Sequence, residues 1–297
     1  MPQPPLAPLV SPQWLKQHLT DKRLRVVDLR WYLQGKDGRE EYAKGHLPGA
    51  VFVDLHHDLT APNGPGRHPV PSPAQLAEAM ESAGISDATQ VVVYDDAGGS
   101  IAARLWFLLE LYGHKGQAHV LDGGLQAWEG AGFPVTTEVP QPPRGRFTPG
   151  AMRRSLLDKH AVERLRGKKG ILLLDARAPE RYRGDVEPVD ARPGHIPGAR
   201  NAAWADNLLA GRFKPRSDLR RHYQALGLGP ADEVIVYCGS GVTACHDLLA
   251  LQLAGIPSRR VHLYEGSWSD WARDPFRPAA TGEEPTPRAR RKAQVGK

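Results

Sequence analysis

The chain has 297 residues, of which 40% are hydrophobic and 24% charged, with a formal net charge of +6. That length supports two domains with their own cores, and the composition is that of an ordinary globular protein, not a disordered or fibrous one. No apolar run reaches the length of a membrane span, and two cysteines, Cys238 and Cys245, are too few for a disulfide scaffold and stand at no common zinc spacing.

The first residues, Met1 to Pro8, lack the basic and then apolar segments of a secretory signal, so a cytoplasmic location is expected. Ser11 and Pro12 read as the N-cap and first residue of a helix through His18. Val26-Val27-Asp28-Leu29-Arg30 then reads as a strand end, Gly45 to Ala50 (Gly-His-Leu-Pro-Gly-Ala) as a turn, and Val91 to Tyr94 as a buried strand. Asp95-Asp96-Ala97-Gly98-Gly99-Ser100 follows that strand, and Leu121 to Trp128 closes the first half. Thr136 to Pro149, rich in Pro and Gly, reads as an interdomain linker.

The second half repeats the first in the same order. Leu173 to Arg177 matches Val26 to Arg30, and Gly194 to Ala199 matches the Gly-His turn. Val234 to Tyr237 matches Val91 to Tyr94, and Glu265, Gly266 and Trp271 match Asp122, Gly123 and Trp128. Four collinear matches define one unit written twice. Short apolar strands alternating with amphipathic helices predict an α/β fold, each half a mainly parallel sheet flanked by helices. The domains are expected at 1–140 and 150–278, followed by a disordered basic tail over 279–297. Between Pro278 and Lys297 five basic residues face two glutamates among Pro, Thr, Gly and Ala. No recognition helix or finger accompanies the tail, so nucleic acid is not an expected partner.

The halves differ where chemistry would sit. Cys238-Gly239-Ser240-Gly241-Val242-Thr243 lies between a strand and a helix from Ala244 to Ala254, which Gly255 and Pro257 stop. Backbone N–H groups and the positive end of a helix dipole can converge there on one sulfur and favour the thiolate. Asp95 occupies the equivalent position in the first half, and a carboxylate can neither form a persulfide nor attack sulfur. Catalysis is therefore expected in the second half, with the first completing a cleft between domains. Cys245 shares an apolar helix face with Leu248 and Leu249 and is expected to be buried. His56, His57 and His246 form no metal constellation, and the tryptophans, among them Trp106, Trp128, Trp268 and Trp271, are expected in the core and cleft wall.

Taken together, the Cys238 loop, the two Gly-His-(Leu/Ile)-Pro-Gly-Ala turns and the cysteine-less first half resemble the two-domain sulfurtransferases of the rhodanese superfamily, from about Val10 to Pro278. The resemblance implies two tandem rhodanese-like domains and a ping-pong reaction without metal or cofactor. Cys238 would take a sulfane sulfur from a small anionic donor, thiosulfate or 3-mercaptopyruvate. The resulting persulfide would pass it to cyanide, thioredoxin or another thiol. By the same resemblance the loop residues Gly239, Ser240, Gly241, Val242 and Thr243 hold substrate and persulfide, and Arg181 and Arg192 bind the donor's anionic group. Arg192 stands out of the family's register, because the segment before the second Gly-His turn is two residues short. The Gly-Ser-Gly-Val-Thr loop resembles the mercaptopyruvate type, in which Ser240 would belong to a relay with Asp37 and His46.

Two other readings follow from the same residues. A phosphatase of the same superfamily needs Cys-x5-Arg, and Ala244 stands where that arginine would be. A noncatalytic persulfide carrier or interaction module fits the first half alone but not an intact Cys238 loop. A monomer is expected, because two facing domains already cover the surface a lone repeat would expose.

Overall fold

The computed structural model describes residues 8–115 and 117–284. The first domain runs β1 (Leu9–Val10), α1 (Pro12–His18), β2 (Leu24–Asp28), α2 (Gly38–Lys44), β3 (Val51–Phe52), α3 (Pro73–Ser82), β4 (Gln90–Tyr94), α4 (Ala102–Leu111), β5 (Ala118–Leu121) and α5 (Gly124–Gly130). The second runs β6 (Ser155–Leu157), α6 (Lys159–Leu165), β7 (Ile171–Asp175), α7 (Pro179–Arg183), β8 (Arg200–Asn201), β9 (Leu208–Leu209), β10 (Arg212–Phe213), α8 (Arg216–Ala225), β11 (Glu233–Tyr237), α9 (Ala244–Leu253), β12 (Val261–Tyr264) and α10 (Ser267–Arg273). Each domain holds a five-stranded parallel sheet, ordered β1-β5-β4-β2-β3 in the first and β6-β12-β11-β7-β8 in the second. Parallel neighbours need crossover connections, and the helices supply them while covering both faces. The central strands accordingly bury Val91 to Tyr94 and Val234 to Tyr237 completely.

The repeated motifs are scaffolding. Asp28 and Arg30 form a buried ion pair at 2.7 Å, and Arg30 also donates to the Gly45 carbonyl at 2.8 Å. Asp175 and Arg177 do the same at 2.6 Å, with Arg177 donating to the Gly194 carbonyl. These pairs tie the ends of β2 and β7, the second strand of each domain in chain order, to the Gly-His turn. Tyr94 and Tyr237 complete the tie by accepting from the backbone N–H groups of Leu47 and Ile196. Buried charges of this kind persist only when fully bonded, as these are.

The domains meet through α4 and α9. Both helices are buried nearly all round, from Ala102 to Leu111 and from Ala244 to Leu251, and most of their residues are apolar. One continuous hydrophobic cluster therefore runs through both sheets, with Trp106 and Leu249 fully buried. The antiparallel pair β9–β10, without a counterpart among the described residues of the first domain, adds a second seam where Phe213 N–H donates to Asp122.

Thr136–Pro149 contains no helix or strand beyond a bridge at Thr136, as expected of a linker. The tail expectation needs correction at its start. Ala280 pairs with His195, Gly282 N–H donates to the Arg183 carbonyl, and Glu284 accepts from Gly198 N–H at 2.7 Å. Residues 279–284 thus brace the second domain because Arg183, His195 and Gly198 offer them backbone groups to bond, and the rest of the tail lies outside the described residues. No helix among the described residues is long and apolar enough to cross a membrane.

Candidate active site

Cys238 stands at the carboxyl end of β11, one of the crevice positions where parallel sheets bind ligands. Its thiol is buried at 1% exposure, and Gly241 N–H points at Sγ from 3.1 Å. Its own N–H donates to Ser267 Oγ at 3.1 Å, and its carbonyl accepts from Trp268 N–H at 2.9 Å. Ser267 holds this bond from a left-handed conformation, φ 54°, unusual for a residue with a side chain. Gly241 has φ 81°, and a Cβ built on it would lie 2.6 Å from the Glu265 carbonyl oxygen, so only glycine fits. Val242 is buried in the core behind the loop, while Thr243, half-buried, is the cap residue just before α9.

The first domain shows what such a loop does to an anion. Asp95, fully buried, accepts from the N–H groups of Ala97, Gly99, Ile101 and Ala102 at 2.8–2.9 Å. Desolvation still pushes its pKa up against those four donors. The site in this half is filled by its own side chain, while in the second half the cradle faces sulfur.

The structure corrects the expected relay. Ser240 Oγ is 2.7 Å from Nδ1 of His68, and His68 Nε2 is 3.2 Å from Nδ1 of the exposed His56. Burial, with the nearby His56, Arg104 and Arg67, pushes the His68 pKa down to about 3, so its ring is neutral at ordinary pH. His46 instead bonds the carbonyls of Tyr42 and Glu138 and stacks on Tyr42 at 3.9 Å between centroids. His195 repeats that stack on Tyr182 at 3.8 Å, so both turn histidines are structural. Asp37 caps α2, accepting from Glu40 N–H at 2.9 Å. Neither residue is bonded to Ser240.

Of the two expected arginines, one is at the site. Arg181 lies beside Gly239, where a built Cβ would be 3.5 Å from its Nη1. Arg192 is corrected to a structural role: it donates to the carbonyls of Ala272, Asp274 and Arg277 at 2.8–3.0 Å and so binds the end of α10. A helix C-terminus leaves carbonyls unpaired, and a guanidinium satisfies several at once.

Three functional candidates escaped the sequence reading, all from the first domain. His68 and Arg67 sit in the long loop between β3 and α3, which reaches across the cleft. Arg67 N–H donates to Ser269 Oγ, Val70 N–H to Glu265, and the Arg67 guanidinium to Asp190. Long structureless loops in compact domains are often functional, which was the one signal available. Arg104 on α4 is fully buried and donates to the carbonyls of Gly241 and His68 at 3.1 and 2.9 Å, placing a cation beneath the cysteine loop. Cys245 donates to the Gly241 carbonyl at 3.3 Å, and burial pushes its thiol pKa up to about 12. A hollow of about 440 Å³ on the outer first domain, lined by Tyr42, Phe52 and Gln75, touches none of these residues.

Tandem parallel sheets with a buried cysteine cradle at the end of one central strand and a carboxylate in the other define a two-domain rhodanese-like architecture. The chain belongs to that family: the Rhodanese-like domain matches residues 11–131 and again 158–274. It is 46% identical over 283 residues to the "Probable 3-mercaptopyruvate sulfurtransferase" of Pseudomonas aeruginosa, covering 93% of this chain and 99% of that one. It is 37% identical over 280 residues to the thiosulfate sulfurtransferase of Rattus norvegicus, covering 89% and 92%. Among solved structures it superposes on the 3-mercaptopyruvate sulfotransferase SseA from Escherichia coli with a TM-score of 0.79 at 30% identity, over 89% of this chain and 100% of that one.

Proposed function

We propose that this protein is a sulfurtransferase that carries a sulfane sulfur on Cys238. The observation that supports it most directly is the Gly241 N–H aimed at Cys238 Sγ within a cradle whose counterpart in the first domain binds a carboxylate through four N–H groups. Such donors stabilise an anionic thiolate and, after transfer, an anionic persulfide in the same place.

With 3-mercaptopyruvate, Cys238 Sγ attacks the donor's sulfur, the carbon–sulfur bond breaks, and its electron pair leaves on the pyruvate enolate. The enolate then needs a proton. Ser240, His68 and His56 form a hydrogen-bonded chain from the loop to an exposed imidazole, and a neutral His68 can accept and donate along it. With thiosulfate, the sulfur–sulfur bond breaks and sulfite leaves with the pair, needing no proton. In either case a nucleophile, cyanide or a thiolate, then removes the outer sulfur and regenerates the Cys238 thiolate. Arg181 and the loop residues 239–243 bind the donor and the persulfide in this reading. A protein thiol such as thioredoxin is a suitable acceptor, and a reducing cytoplasm suits two free thiols.

Sulfur transfer to cyanide, measured with both donors and with Cys238→Ala as the blank, tests the reading. Turnover lost in the variant, with wild-type protein gaining one sulfur atom by mass, is the expected result. No turnover and no added sulfur with either donor would overturn it in favour of a noncatalytic module.

A further inference from the structure

Over Gly239, the neighbour of Cys238, lies a closed ion network. A Cβ built on Gly239 would be 3.0 Å from Arg67 Nη2 and 3.5 and 3.7 Å from Arg181 Nη1 and Nη2, so one guanidinium from each domain overhangs the loop. Asp190 stands between them, bonded to Arg67 through Oδ1 and to Arg181 Nη2 through Oδ2 at 3.1 Å. Glu187 makes the other contact to Arg181, at 2.6 Å.

The two carboxylates are held differently. Glu187 accepts from Arg177, from Arg181 and from the backbone N–H groups of Val189 and Asp190, which makes it a fixed counterion. The Asp190 carboxylate is held by the two arginine side chains, one across the domain boundary. Arg181 also keeps a buried Nε–H without a partner among the described residues. An unpaired buried donor on a cation marks a place for one more acceptor.

We infer that Asp190 is an internal stand-in for substrate, occupying the anion subsite formed by Arg67 and Arg181 until the donor's anionic group displaces it. The inference rests on the proposed sulfur transfer at Cys238 and names the residues that set donor affinity. Exchange of one carboxylate for another anion leaves the charge over Gly239 balanced, so neither arginine is ever buried without a counterion. The donor group that fits is a carboxylate or a sulfonate-like terminus able to take two guanidinium forks. No bond is made or broken at this subsite, and the sulfur chemistry stays at Cys238.

The displacement costs donor affinity, and removing the competing charge should restore it. Asp190→Asn is expected to lower KM for thiosulfate and 3-mercaptopyruvate by about tenfold with kcat changed by less than about twofold. Calorimetric titration with sulfate, an unreactive dianion, should tighten by about the same factor. Arg67→Gln, in which Asp190 keeps Arg181, should weaken sulfate binding and raise both KM values by about tenfold or more. An unchanged or raised KM in folded Asp190→Asn, with sulfate binding no tighter, would mean that Asp190 braces the arginines and would overturn the inference. Sulfate affinity indifferent to Arg67→Gln would do the same. Because sulfate binding needs no turnover, a protein inactive with both donors would defeat the functional reading while leaving this subsite open to the same measurement.

Discussion

Ser240 Oγ and His68 Nδ1 are 2.7 Å apart, although they lie 172 residues apart in the chain and on different domains. The pair exists only because α4 and α9 pack the two sheets together, which carries the β3–α3 loop over the cysteine cradle. A proton passed along this pair would cross the interface between the domains.

If that pair delivers a proton to the departing enolate, its loss should depend on the donor. Ser240→Ala and His68→Gln are each expected to lower kcat with 3-mercaptopyruvate by about a hundredfold, while the rate with thiosulfate falls by less than about threefold. Equal losses with both donors, in parallel steady-state assays, would assign the pair to holding the persulfide instead. His46→Gln should lower the melting temperature and leave the ratio of the two activities as it is, because His46 bonds the carbonyls of its turn and of Glu138.

Gly241→Ala should damage both stability and chemistry. The new methyl would meet the Glu265 carbonyl oxygen at 2.6 Å on a backbone with φ 81°. A loss of about 2 kcal/mol or more is expected in urea unfolding. Turnover by the remaining folded protein should also fall, since Gly241 N–H would leave Sγ. Full activity at unchanged stability would show the loop to be pliable.

The two thiols should behave oppositely. Cys245, its thiol pushed up to about 12 by burial and bonded to the Gly241 carbonyl, should be chemically inert. Iodoacetamide on the native protein is expected to give one adduct, mapped by mass spectrometry to Cys238, and Cys245→Ser should transfer sulfur at the wild-type rate within about twofold. A second adduct on native protein would refute the assignment.

Acid should destabilise the fold through its buried histidines. His246, stacked on Phe213 and bonded to the Gly98 carbonyl, is held down to about 3 by burial, as is His68. An unfolded histidine titrates near about 6.5. Between about 6.5 and 3 unfolding therefore takes up one proton at each site, and stability falls as pH drops through that window. The slope is about 1.4 kcal/mol per pH unit for each group, and none of it appears above the window. His246→Gln is expected to lose stability at neutral pH yet show a shallower acid limb by one such slope. An acid limb of unaltered steepness in urea titrations would contradict this account.

Much of the molecule could be read without coordinates, for reasons that are local. Val91 to Tyr94 and Val234 to Tyr237 are apolar throughout, as strands buried on both faces must be, and the Asp-x-Arg and Gly-His motifs recur because each sheet needs the same buried tie. Cys238 declared itself because strand, glycine turn and helix are contiguous in sequence, and Asp95 stands at the same point of the first half. Burial of Cys245 followed from helical spacing alone.

The rest depended on which segments meet. His46 and Arg192 stood in suggestive motifs, but one stacks on Tyr42 and the other binds the carbonyls that end α10, needs visible only once neighbouring backbone groups have places. His68 and Arg67 carry no pattern around them, since a loop has no periodicity to read, and they reach Ser240 and Gly239 beside Cys238 because two largely apolar helices buried their faces against each other. Contiguous residues determined Cys238 and its cradle. Packing between domains decided which histidine, which arginines and which counterion surround it, because those contacts join residues far apart in the chain and are fixed by burial of the surfaces that carry them.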